Sequence, residues 1–98
     1  MNYENVFEFD AVKSQTNKDK HGIDFEQATA IFMDERLLVF DAYSHDEPRF
    51  VAIGAWSGKV WAVVFMIRKG LTRLISVRRA RTQEIKRYEC QESDSDTQ

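Results

Sequence analysis

The sequence predicts an α+β domain of two helices, a four-stranded antiparallel meander and one last helix, in the order α-α-β-β-β-β-α. Three observations carry this. Before Leu37, apolar residues recur at helical spacing between good helix caps. From Leu37 onward, four stretches rich in β-branched and aromatic residues follow one another. The gaps between them are too short to hold a crossover helix, so neighbouring strands must run antiparallel.

Each element has its own signal. Asp10 is a good N-cap for a helix through about Lys20, because its carboxylate accepts from the first unsatisfied backbone N–H groups. Gly22 sits where a left-handed residue ends that helix, with Lys20 and His21 against its negative end. Asp24 starts a second helix, and Gln27 completes a capping box. Phe25, Ala28, Ile31 and Phe32 share a helical face and form a core stripe. The strand-like stretches are LLVFDAY, RFVAIGAW, VWAVVFMI and TRLISVRR. A polar loop, SHDEP, separates the first two, while WSGK and RKGL carry Gly58 and Gly70 and predict tight hairpin turns. Thr82 is the expected N-cap of the last helix, on which Ile85 and Tyr88 share a face. The domain is expected to span residues 1–89, followed by a disordered acidic tail at 90–98.

Composition narrows the function classes. No apolar run reaches the ~20 residues of a membrane span. The N-terminus lacks the basic-then-apolar pattern of a secretory signal. Cys90 is the only cysteine, which excludes an intrachain disulfide and fits a reducing, cytoplasmic setting. The net charge of −2 conceals strong polarisation. Residues 1–47 hold four basic and eleven acidic side chains; residues 48–88 hold ten basic ones against the single acid Glu84. Such a basic half attracts polyanions.

The basic run LISVRRARTQEIKRYE frames the question of chemistry. Alternation along the fourth strand puts Arg73, Ile75, Val77 and Arg79 on one face and Leu74, Ser76 and Arg78 on the other. Arg78 and Arg79 then leave the sheet in opposite directions, and Arg78, beside Ser76 on the less apolar face, is the better anion ligand. Arg81 lies at the start of a helix whose N–H groups add positive potential. Pattern alone leaves a solvated basic face and an anion site both open. His21 has a side chain suited to proton transfer near neutral pH, and equally to hydrogen-bonding the last carbonyls of its helix. Neither His21 nor His45 belongs to a metal-ligand spacing, so no metal or other cofactor is expected. Trp56 and Trp61 flank a hairpin turn and are expected to pack across strands.

Three blocks, FEFDAVKSQTNKDKHGIDFEQA (Phe7 to Ala28), RFVAIG (Arg49 to Gly54) and RLISVRRARTQEIKRYE (Arg73 to Glu89), resemble the signatures of BrnT-type toxins, the ribonuclease halves of type II toxin–antitoxin pairs. Phe7, Glu8, Phe9, Asp10, Asn17, Lys20, His21 and Gly22 meet the first pattern. Arg73, Ile75, Ser76, Arg78 and Ala80 meet the last, with Glu84 and Tyr88 following. The resemblance implies a RelE-like fold and an endoribonuclease that halts translation. The implied partner is a ribbon-helix-helix antitoxin that masks the toxin and represses the shared operon by binding its operator DNA.

The mechanism expected from these residues is metal-independent RNA cleavage, in which the substrate's own 2′-hydroxyl attacks phosphorus. His21 is the expected general base or acid, with Glu84 as alternate. Lys20 and Arg78 would stabilise the charged transition state. Arg49, Ser76, Arg79 and Arg81 would bind the RNA backbone, and Tyr88 would orient a neighbour. The competing reading is a non-catalytic module whose basic face docks an acidic partner or nucleic acid.

Overall fold

The computed structural model describes residues 6–43 and 45–96. The chain begins with a two-residue strand, β1 (Phe7–Glu8), and passes into α1 (Ala11–His21). Next comes a single helical turn, α2 (Phe25–Ala28), which tightens into a 3₁₀ segment over Thr29–Met33. Four strands follow: β2 (Leu38–Ala42), β3 (Arg49–Trp56), β4 (Lys59–Arg68) and β5 (Leu71–Arg79). The last element is α3 (Thr82–Asp96).

The helix signals read from the sequence act as expected. Asp10 caps α1 by accepting from the backbone N–H groups of Val12 (2.8 Å) and Lys13 (3.1 Å). Gly22 ends α1 at φ +79°, a conformation that costs a side-chain-bearing residue more than glycine. Asp24 and Gln27 form the reciprocal capping box. Ser57–Gly58 and Lys69–Gly70 all have positive φ, the pattern of two-residue type I′ hairpins whose twist matches that of the strands they join.

Three expectations are corrected. The sheet has five strands rather than four and is mixed, in the order β1-β5-β4-β3-β2, because β1 adds parallel to β5 through Phe7↔Thr72 and Glu8↔Arg73. The second helix is one α-turn continued as 3₁₀. Thr82 is the first residue of α3 rather than its cap, and the Glu84 carboxylate reaches back to the Arg81 N–H at 2.8 Å. The helix α3 runs to Asp96, and residues 97–98 lie outside the described residues.

Both faces of the sheet are covered. On one side α1, α2 and the 3₁₀ segment bury Phe25, Ile31, Val63, Leu74 and Val77 in the larger core. Full burial of each such side chain contributes about 1.5–3 kcal/mol. The 3₁₀ segment lies so close to β3 that a Cβ at Gly54 would meet side-chain atoms of Ile31 and Leu37 at 2.8 Å. On the other side, Tyr88 of α3 packs on Val51, Ile53 and Ala62.

Asn17 fixes α1 against the edge of β5. Beyond the short β1, the backbone of Val77 has no strand neighbour on that side. The Asn17 carboxamide, with donor and acceptor like a peptide group, accepts from Val77 N–H (3.1 Å) and donates to Val77 C=O (2.9 Å). It also donates to Ile23 C=O at 2.8 Å. These groups are buried, and leaving them unmatched would cost about 1–3 kcal/mol each.

A bulge in β5 decides which side chains face α3. Val64 pairs with Ser76 and Phe65 with Leu74, so Ile75 is the extra residue. Leu74 and Val77 consequently enter the same core although they are three positions apart. The strict alternation expected for this strand therefore fails at Ile75. Arg73, opposite Met66, joins Ser76 and Arg78 on the α3 side of the sheet instead of lying opposite them.

Candidate functional site

The site residues expected from sequence fall into two groups on either side of β5. The first lines a cleft of about 280 Å³ between α1 and β5, formed by Lys13, Thr16, Asn17, Lys20, His21, Phe25, Ile75 and Ser76. Lys13, Lys20 and His21 are exposed, at the N- and C-terminal turns of one helix face. Neither the Lys20 nor the His21 side chain makes a hydrogen bond or ion pair to another described residue. No carboxylate lines the cleft. The wall is apolar where Phe25 and Ile75 stand and polar where Thr16 and Ser76 stand, so it can seat a sugar while its rim holds an anion. Lys13 and Thr16 are additions that the sequence reading missed. Thr16 precedes Lys20 by four residues, and Lys13 precedes Asn17 by four, so the shared face was visible only once Asn17 is known to face β5.

The second group belongs to the α3 side of the sheet. Arg78 pairs across the sheet with Ala62, in the small core under α3, whereas Arg79 pairs with Trp61 in the larger core. The two arginines leave β5 in opposite directions, as alternation requires. The guanidinium of Arg79 lies 5.6 Å from the centre of the Trp61 ring. Arg78 donates two parallel hydrogen bonds to Glu84, at 2.8 and 2.9 Å. The hydrogen bonds from Arg78 hold the Glu84 carboxyl below its ordinary range, and the Arg81 N–H adds to this. The Arg78 guanidinium is correspondingly held more firmly protonated by Glu84. Arg49, two residues before Val51 on β3, points to this same side and has a buried Nε with no hydrogen-bond partner among the described residues.

Tyr88 is also on this side, but as a packing residue. Only 5 % of it is exposed. Its hydroxyl donates to the Asp34 carboxylate, which also accepts from the N–H groups of Arg36 (3.0 Å) and Ala55 (2.8 Å). Burial, and after it the hydrogen bond to Asp34, pushes Tyr88 up to about 12. Burial alone would raise Asp34, yet the three donors outweigh it and lower its carboxyl overall. Tyr88 thereby clamps α3 to the body of the domain and orients the Asp34 carboxylate. Asp34 had no signal in the sequence, because its partners come from the 3₁₀ exit, β3 and α3.

Arg78 and Glu84 do not line the cleft that holds Lys20 and His21. Ser76 lies at the junction: it contributes to the cleft, and it is two residues from Arg78 on the same strand. Among the described residues, no group of three or more His, Cys, Asp or Glu side chains is placed to hold a metal ion. No described helix is long and apolar enough to cross a membrane.

The family model described as "Ribonuclease toxin, BrnT, of type II toxin-antitoxin system" matches residues 9–84, most of the chain and residues of both groups. No curated protein matches the chain.

Proposed function

The chain belongs to the BrnT family of ribonuclease toxins of type II toxin–antitoxin systems, and from that premise we propose that it cleaves RNA at the α1–β5 cleft without a metal ion. The observation that carries this reading is that Lys13, Lys20, His21 and Ser76 line one cleft, with no carboxylate in it to repel a phosphodiester. Divalent cations such as magnesium favour carboxylate and other oxygen ligands, whereas this lining supplies ammonium and imidazole groups.

In the proposed reaction His21 takes the proton from the 2′-hydroxyl, the 2′-oxygen attacks the adjacent phosphorus, and the bond to the 5′-oxygen breaks. A cyclic phosphate remains on one fragment and the other gains a 5′-hydroxyl, its proton returned by the imidazolium or by water. Lys20 and Lys13 stabilise the charge that accumulates on the phosphoryl oxygens. Glu84 is the poorer acid–base candidate, since it is held anionic by Arg78 away from the cleft. Arg78, fixed by Glu84, serves a neighbouring phosphate across β5, with Arg49 and Arg81 on the same side. Arg79 points to the opposite face and serves a different part of the strand.

The family implies an antitoxin protein as partner. We propose that it is a ribbon-helix-helix protein that carries the complex to operator DNA, and that the free toxin acts in the cytoplasm by halting translation. Labelled RNA incubated with the protein in excess chelator tests the mechanism. Fragments ending in cyclic phosphate, with DNA left intact for want of a 2′-hydroxyl, are the expected result. Cleavage that stops with chelator overturns metal independence, and a shifted band without fragments makes the protein a binding module.

A further inference from the structure

We propose that the tip of the β4–β5 hairpin is a second phosphate subsite, which holds the RNA strand away from the point of cleavage. The inference rests on the RNA-cleaving reading above and extends it to residues that reading does not use. A pocket of about 170 Å³ at this tip is lined by Glu8, Arg68, Lys69, Leu71 and Arg73. Three cations thus surround one carboxylate, and that carboxylate is only loosely paired, with Arg73 Nη1 3.6 Å from Glu8 Oε2.

The backbone explains why the cations converge. Lys69 occupies the first position of the type I′ turn at φ +52°, which projects it from the very end of the hairpin. Arg68 follows Val64 and Met66 by alternation onto the α3 side of the sheet. Arg73 reaches that side only because of the bulge at Ile75. A regular β5 would have put Arg73 opposite Ser76 and Arg78, and the pocket would lose a wall. The bulge therefore aligns Arg73, Ser76 and Arg78 along one strand face, with Arg68 and Lys69 beyond. Arg73 and Arg78 are roughly 15 Å apart along the strand, too far for one phosphate to touch both. Successive phosphates of a single strand fit this spacing, and an isolated phosphate does not. The ligand class is accordingly single-stranded RNA long enough to run from the Ser76 cleft to the hairpin tip.

The test measures binding in a His21→Ala background, so that RNA survives. Arg68→Gln together with Lys69→Asn removes two charges while keeping a residue that tolerates positive φ in the turn. Affinity for a longer single-stranded RNA should fall several-fold, and the slope of log affinity against log salt should decrease by about 0.7 for each phosphate no longer neutralised. A dinucleotide, too short to span both places, should weaken less. Glu8→Gln should do the reverse and tighten the longer RNA, a gain that a misfolded variant does not produce. The proposal is overturned if the longer RNA binds as before, if it and the dinucleotide weaken equally, or if the antitoxin rather than RNA loses affinity. Because only binding is read, failure of the cleavage reading shows separately, as wild-type protein that cuts no RNA.

Discussion

The α1–β5 cleft and the α3 side of the sheet draw on the same short sequence blocks, but their polar groups are in opposite conditions. In the cleft, Lys20 and His21 stand exposed with no partner among the described residues. Across β5, half-buried Arg78 is locked to Glu84, and buried Tyr88 to Asp34. Residues of both groups belong to the resemblance blocks, so block membership does not distinguish a reacting group from a structural one. Partnership does. A side chain already matched by a buried partner holds the fold, whereas an exposed, unmatched cation or imidazole beside a cleft is available to a ligand.

The sharpest way to break this comparison is at His21. His21→Ala should lower RNA cleavage by roughly 10²–10⁴-fold if the imidazole transfers the proton, with no loss of thermal stability, because the side chain is exposed. Full activity in a folded variant would move the reacting centre elsewhere, and a fall in melting temperature alongside abolished activity would put His21 among the structural residues.

Tyr88→Phe should act on stability instead, costing about 1.5–3 kcal/mol for a hydrogen bond to a charged acceptor. A pH series sharpens it. Tyr88 is raised from 10.0 to about 12, so its contribution is complete below the unfolded value and is lost as pH climbs from there towards the folded one. Chemical denaturation should show this alkaline loss in the wild type and a smaller one in Tyr88→Phe. An equal loss in both would mean that Tyr88 is not clamped.

The smallest effect is expected at Glu84→Gln, about 1 kcal/mol at neutral pH for a partly exposed pair. The Glu84 carboxyl is lowered in the fold, so its contribution is present above the range where an unfolded glutamate titrates and is lost as pH falls through the folded value. The difference between wild type and variant should therefore vanish in acid. Abolished cleavage with an unchanged melting temperature would instead make Glu84 the proton-transfer group.

Much of the molecule is legible in the sequence. The Asp10 and Asp24 caps, the Gly22 stop and the two hairpin turns are local devices, each set by the dihedral preferences and hydrogen bonds of a few adjacent residues. The stripe Phe25, Ala28, Ile31 and Phe32 is readable from its period and is buried throughout. The opposite exits of Arg78 and Arg79 follow from alternation, which holds on that side of the bulge. By contrast, β1 is only two residues long and is a strand because β5 offers it an edge. Nothing in its own composition could announce it.

The sequence by itself determined the caps, the turns, the helical stripe and the polarised charge, along with the blocks that tie the chain to its family. The tertiary structure alone decided which of these residues meet. Leu74 and Val77 both gain by entering one core, and this non-local packing forces Ile75 out of register and carries Arg73 round to Arg78's side. The same long-range packing joins Asn17 to Val77 and Tyr88 to Asp34, and brings His21 and Ser76 to one cleft. Local signals cannot encode such pairings, because their energy arises only when elements far apart in the chain are packed together.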